Sequence, residues 1–101
     1  MIFKNIKALK CGGKMYVLIV YDVGEKRVQK VLKFLRKHLN WIQNSVFEGQ
    51  VTDAQLLKIK NGLKRITDQD EDSVIFFVAR SEKWLKKEVM GLEKNPTDNF
   101  I

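Results

Sequence analysis

Residues 15–39 read MYVLIVYDVGEKRVQKVLKFLRKHL, and this stretch decides the fold. Met15–Tyr21 is continuously apolar and rich in β-branched side chains, and it is closed by Asp22-Val23-Gly24. That pattern predicts a central strand covered on both faces. In Glu25–Leu39 the period changes. Val28, Val31, Leu32, Leu35 and Leu39 recur every three or four residues, which predicts an amphipathic helix. A buried strand passing through one short loop into a helix is the opening of an α/β-type layer structure.

The rest of the chain continues the alternation. Trp41–Val51 (WIQNSVFEGQV), which alternates partly and holds Gly49, predicts one bent or bulged strand, or two short strands in sequence. Thr52-Asp53-Ala54-Gln55 has the spacing of a capping box, and Leu56, Ile59, Leu63 and Ile66 share one face behind it. This predicts a second helix to about Ile66, with Gly62 inside it at a cost of roughly 1 kcal/mol against Ala. Asp68–Asp72 reads as an acidic loop and Ser73–Ala79 (SVIFFVA) as a second apolar strand. Ser81–Lys87 reads as a loop or helical turn, Glu88–Glu93 as a short strand, and Asn95-Pro96 as a turn. The expected fold class is α+β: a ferredoxin-like, split-βαβ sandwich of two helices on one face of an antiparallel sheet. Met15–Tyr21 and Ser73–Ala79 are apolar at both parities, so the second sheet face also needs a cover. A homodimer packed through the sheets supplies one.

At 101 residues the chain has the size of one domain. Residues 1–14 differ in character from the rest of the chain, because Cys11-Gly12-Gly13 breaks any helical pattern before Met15. They are expected to be an N-terminal extension or a mis-assigned start, with 15–96 the domain and 97–101 a C-terminal tail. Apolar residues make up 45% and aromatics 10%, which excludes a disordered chain. One Cys and one His exclude an internal disulfide framework and a zinc site built from Cys and His. No apolar run reaches the length of a membrane span, and the N-terminus lacks the apolar stretch of a secretory signal, so a cytoplasmic protein is expected. The formal net charge is +7, which points to a polyanionic partner, nucleic acid before membrane.

That charge concentrates on the first helix, where Lys26, Arg27, Lys30, Lys33, Arg36 and Lys37 face only Glu25. A cationic stripe without i,i+4 carboxylates is a candidate phosphate track. Asp22, where the first strand runs out, is the leading candidate for chemistry, although a turn-forming Asp is common at such loops. One carboxylate is a poor Mg²⁺ site unless a second oxygen donor joins it, and a two-fold axis pairing two Asp22 side chains would supply that donor. In Asn44–Gly49, alternation puts Ser45 and Phe47 on one face and Val46 and Glu48 on the other. Phe47 reads as a core residue more readily than as a base-stacking platform. His38, near the end of the first helix, reads as a C-terminal cap or packing residue.

Val20-Tyr21-Asp22-Val23, the basic helix, and Gln43-Asn44-Ser45-Val46-Phe47-Glu48-Gly49 together resemble the small CRISPR-associated endonuclease family, whose members partner the integrase in spacer acquisition. The resemblance continues through Asp72–Phe77 and Gly91–Pro96, and so covers Met15 to about Pro96. It implies a ferredoxin-like homodimer in which a C-terminal strand, here Met90–Glu93 or Thr97–Ile101, crosses to the partner's sheet. It also implies a Mg²⁺- or Mn²⁺-dependent endonuclease of RNA or DNA. Asp22 matches the family's metal-binding aspartate, one from each protomer. Tyr21, Ser45 and Phe47 match positions beside it, and Arg27 falls where helix arginines lie. Hydrolysis by metal-activated water leaves a 5′-phosphate and a 3′-hydroxyl and needs no Ser, His or Cys nucleophile. Two departures weaken the carry-over of a phosphate-gripping arginine set. Trp41 stands where relatives carry a basic residue, and Arg27 is the lone arginine soon after Asp22. Residues 1–14 have no counterpart in the family pattern. Two alternatives remain open: a non-catalytic DNA-binding scaffold for the CRISPR integrase, which the breadth of the charge favours as the biological role, and a toxin-like RNA interferase of similar fold.

Overall fold

The computed structural model describes residues 13–80 and 88–91. β1 (Met15–Asp22) leads into α1 (Glu25–Arg36), β2 (Asn40–Gln43), β3 (Val46–Val51), α2 (Asp53–Ile66) and β4 (Ser73–Ala79). The strands form one sheet in the order β2-β3-β1-β4, and every neighbouring pair is antiparallel. This is the split-βαβ, ferredoxin-like arrangement. β1 lies inside the sheet, with Ile19 opposite Phe47 on one side and Phe76 on the other.

Alternation along β1 divides the sheet into two faces. Met15, Val17, Ile19 and Tyr21 are buried in the core with Val31 and Leu35 of α1 and Leu56, Ile59 and Leu63 of α2. Burying each such aliphatic side chain contributes about 1.5–3 kcal/mol, so this layer supplies most of the stabilisation. The opposite face carries Leu18 and Val20, with Phe77 and Ile75 as their partners on β4. Ile75 and Phe77 are 49% and 45% exposed in the single chain. Tyr16, also on this face, is buried, and its hydroxyl donates to Glu48 Oε1.

Local structure departs from the sequence reading at the end of α1 and at Glu88–Gly91, and of the two readings of Trp41–Val51 it takes the pair of short strands. α1 ends at Arg36, not Leu39. Lys37 and His38 donate to the carbonyls three residues back, Phe34 at 3.2 Å and Leu35 at 3.0 Å, which tightens the last turn while Leu39 stays buried. Trp41–Val51 is a hairpin: β2 and β3 turn at Asn44-Ser45, where Asn44 adopts φ 41°, a conformation Asn tolerates. The register of the β2–β3 pair shifts between Trp41 and Gln43. Gly49 answers a close approach, since a Cβ there would come within 2.8 Å of Leu39 Cδ2. Glu88–Gly91, the described part of the expected short strand, forms no strand.

The capping box forms as expected. Gln55 N–H donates to Thr52 Oγ1 at 3.1 Å, and Thr52 N–H donates to Gln55 Oε1 at 2.8 Å. Gly62 has a packing reason as well. The end of the Phe34 ring lies where its Cβ would be, with Phe34 Cζ 2.1 Å from that position, so α1 and α2 meet ring against backbone. Among the described residues no helix is long and apolar enough to cross a membrane. The expected N-terminal extension (apart from Gly13 and Lys14), the Ser81–Lys87 turn and the Thr97–Ile101 strand lie outside the described residues.

Candidate functional site

Asp22 is the last residue of β1, paired across the strands with Ser73 at the start of β4. It is exposed, and among the described residues its carboxylate takes no hydrogen bond or ion pair. By alternation it falls on the sheet face away from the helices, with Leu18 and Val20. A hard, unpartnered carboxylate suits Mg²⁺ or Mn²⁺. Among the described residues no three His, Cys, Asp or Glu side chains lie close enough to hold an ion.

Tyr21, Ser45 and Phe47 lie on the other face. Phe47 is fully buried, its ring 6.1 Å from that of Tyr21 and 6.4 Å from that of Trp41, both stacked. With no exposed atom to offer a substrate, Phe47 is a packing residue, which corrects its candidacy as a catalytic one. Tyr21 is buried too. Desolvation pushes its hydroxyl above the usual tyrosine range, and a side-chain hydrogen bond with Ser45 opposes the shift. Tyr21 N–H also donates to the Ser45 carbonyl at 3.1 Å. These two residues tie the end of β1 to the β2–β3 turn, so they reach Asp22 through the backbone, not across a shared pocket.

The basic helix residues separate in the same way. Lys26, Lys30, Lys33 and Arg36 of α1 and Lys37 at its C-cap are exposed. Among the described residues the four lysines make no ion pair, and Arg36 lies 5.4 Å from the centre of the Trp41 ring. Arg27 is different. Its Nε donates to Asp72 Oδ2 at 2.6 Å, and its Nη2 donates to Asp72 Oδ1 and Glu71 Oε1, each at 3.0 Å. Arg27 thus differs from the other cations of the stripe in being paired with two carboxylates through Nε and Nη2.

Asp72 is the residue whose role sequence reasoning missed, since the sequence shows it as the end of an acidic loop and the start of a matching stretch, with no part in the site. Its side chain is 1% exposed. Besides Arg27 it accepts from Gly24 N–H and Asp68 N–H, each at 2.8 Å. The Arg27 hydrogen bonds, aided by those two backbone donors, hold its carboxyl well below the usual carboxylate range against the opposing effect of burial. One carboxylate thus pins the loop two residues after Asp22 and precedes the residue opposite it. The signal was topological. Once β4 is placed antiparallel to β1, the residue before Ser73 must adjoin Val23-Gly24 and the first turn of α1.

Comparison with known proteins identifies the family. The family described as "CRISPR associated protein Cas2" matches residues 15–87. A CRISPR-associated endoribonuclease Cas2 of Methanocaldococcus jannaschii is 56% identical over 98 residues, covering 97% of this chain and 86% of its own. That match reaches into residues 1–14, so this stretch has a counterpart in at least one relative. The protein of the same name from Pyrococcus furiosus is 56% identical over 87 residues, 86% of this chain and all of its own. A Cas2 crystal structure superposes with a TM-score of 0.73 at 43% identity, covering 81% of this chain and 92% of the other. The shared fold, the strand ending in Asp22 and the extent of these matches show that the chain belongs to the Cas2 family of CRISPR-associated proteins.

Proposed function

We propose that this protein is a divalent-metal-dependent endonuclease of RNA or DNA that works as a homodimer in CRISPR adaptation. The observation that carries this reading is the exposed, unpartnered carboxylate of Asp22, which lies on a sheet face whose Ile75 and Phe77 are left half-exposed. A second copy packed on that face buries those side chains and brings a second Asp22 to the two-fold axis, which completes the donor set. Mg²⁺ or Mn²⁺ bound there supplies Lewis-acid polarisation of a phosphodiester and activates water. The chain's own residues hold the geometry. The Asp72–Arg27 clamp fixes the turn after Asp22, and Tyr21 with Ser45 fixes the strand end before it. The names of the relatives, which are endoribonucleases, support nuclease activity.

The exposed lysines of α1 favour a second role in the same protein. Lys26, Lys30, Lys33 and Lys37 form a surface suited to phosphate contacts, on the layer opposite the proposed dimer face. In that role the dimer holds a DNA duplex for the CRISPR integrase, in the cytoplasm.

Asp22→Ala is expected to abolish divalent-dependent cutting while leaving fold and dimerisation intact. Full cutting by that variant would refute the nuclease reading. Integration assays with the integrase present separate the roles. Spacer integration unchanged by Asp22→Ala, but lost when Lys30, Lys33 and Lys37 are reversed to Glu, assigns the scaffold role to the helix face. Binding should weaken steeply between roughly 50 and 200 mM salt, and a salt-insensitive affinity would contradict the phosphate track.

A further inference from the structure

Asp22 and Ser73 stand directly opposite one another, where β1 ends and β4 begins. Both are exposed. By alternation Ser73 falls with Ile75 and Phe77, on the sheet face that also carries Asp22. Opposite residues on one face of an antiparallel pair have Cβ atoms about 4.5–5.5 Å apart. Among the described residues neither side chain takes a hydrogen bond or ion pair. The carboxylates around this strand end are committed elsewhere. Asp72, the residue before Ser73, has a side chain 1% exposed and held by Arg27 and by the N–H groups of Gly24 and Asp68. Glu71 pairs with Arg27 as well. Glu48 lies farther along the sheet, opposite Leu18, and accepts from the Tyr16 hydroxyl. Ser73 is the oxygen donor that the sheet register sets beside Asp22.

We infer that the Ser73 hydroxyl is a second oxygen ligand for the divalent cation proposed at Asp22, an inference that rests on that reading of Asp22. A carboxylate and a hydroxyl are both hard donors, and Mg²⁺ takes oxygen ligands at about 2.0–2.1 Å. Side chains that rise about 5 Å apart from one face can therefore meet on one ion. A neutral donor also suits the substrate. In the proposed dimer the two Asp22 carboxylates already balance the charge of a divalent ion. Further carboxylates would leave surplus negative charge against a phosphodiester, whereas a hydroxyl adds a ligand and no charge. The backbone of the pair is fixed by one side chain. Asp72 holds the N–H of Gly24, in the loop after Asp22, and itself precedes Ser73, so the clamp ties the ends of both strands.

The test is metal binding by the full-length protein in a Cys11→Ser background, which removes the one natural thiol. Mn²⁺ is followed by electron paramagnetic resonance, and Cd²⁺ by the ultraviolet absorption of a thiolate–Cd²⁺ bond. Ser73→Ala should weaken Mn²⁺ by about tenfold or more, the scale of losing a group that supports a metal site. Ser73→Cys should weaken Mn²⁺ likewise, and should bind Cd²⁺ at least about tenfold more tightly than the background protein, because a soft sulfur at a ligand position changes the preferred metal. A serine with a merely structural role would not move that preference. The gain in Cd²⁺ should vanish when Asp22→Ala is added. If Asp22→Ala abolishes Mn²⁺ binding while both Ser73 variants leave it unmoved, this inference is overturned and the reading of Asp22 stands. A Cd²⁺ gain that persists without Asp22 also overturns it, since the thiol then binds alone. Mn²⁺ affinity undiminished in Asp22→Ala overturns both.

Discussion

Gly62→Ala tests how the two helices are joined. In an exposed helix interior this change stabilises by about 1 kcal/mol, because Ala loses less backbone freedom than Gly. Here the new Cβ would stand 2.1 Å from Phe34 Cζ, 2.6 Å from Cε1 and 2.9 Å from Cε2. The ring is met at its tip and both flanks, so the whole side chain must swing or the helices must part. Overpacking of this kind costs about 1–3 kcal/mol. The contact outweighs the propensity gain, leaving a net destabilisation of about 1 kcal/mol. In a domain of this size that lowers Tm by roughly 4–8 °C. The assay is thermal unfolding followed by circular dichroism at fixed protein concentration, since association with a second copy would shift Tm by mass action. The decisive arm is the same substitution in a Phe34→Ala background. With the ring gone, Gly62→Ala should raise Tm, and the reversal of sign gives a coupling within the range of contacting pairs, about 0.5–3 kcal/mol. If Gly62→Ala raises Tm in the otherwise unchanged protein, the ring yields freely and the reasoning is wrong.

The titrating groups yield two further expectations. Asp72 is held below the usual carboxylate range, first by Arg27, so its stabilisation is fully present above its unfolded value and fades as pH falls below roughly 4. The Tm gap between the natural protein and Asp72→Asn should therefore be wide at pH 7 and narrow progressively below pH 4; equal Tm values at pH 7 would remove the clamp from the stability account. His38 packs its ring 4.9 Å from that of Phe34, and burial, then the charges of Lys58 and Lys37, lower its pKa. Its NMR titration midpoint should lie below the ordinary 6.5, and the stability it contributes should be lost as pH falls through that lowered value. Lys58→Glu should move the midpoint up, and a midpoint above 6.5 in the unsubstituted chain would contradict the packing.

Periodicity carried most of the fold. The change from a continuous apolar run to a period of 3.6 after Asp22, and the return of that period after Val51, fix strand and helix identities, and the Thr52–Gln55 capping box places the start of α2 to the residue. What periodicity cannot show is how a short segment is divided. Trp41–Val51 reads equally as a bent strand or a pair, because the turn at Asn44-Ser45 depends on a left-handed Asn in place of the customary Gly. The candidate site was legible as a set of residues but not as a geometry. Tyr21 and Asp22 are adjacent in sequence and so face opposite ways. Ser45 and Phe47 share a face in both the reading and the structure, but it is the face of Tyr21. Arg27 looked like one more cation in a stripe because its carboxylate partners stand 44 and 45 residues away.

The two faces of the sheet divide the labour, and this bears on how far the sites can be varied independently. On the helix side, packing is dense: Phe47 lies between Tyr21 and Trp41, and Phe34 is seated on Gly62. Changes there act through the fold, so loss of activity in Phe47→Ala would report on stability before chemistry. On the other side, Asp22 is exposed and without a partner among the described residues, so its removal should cost the fold little. The Asp72 clamp crosses this division. It joins the loop after Asp22 to the first turn of α1 and to the loop before β4. Weakening it should loosen the carboxylate's backbone before it unfolds the domain, so Asp72→Asn and Arg27→Lys should reduce Mn²⁺ affinity at temperatures well below their Tm. An unchanged Mn²⁺ affinity in both variants would confine the clamp to stability and leave Asp22 positioned by the β1–β4 pairing alone.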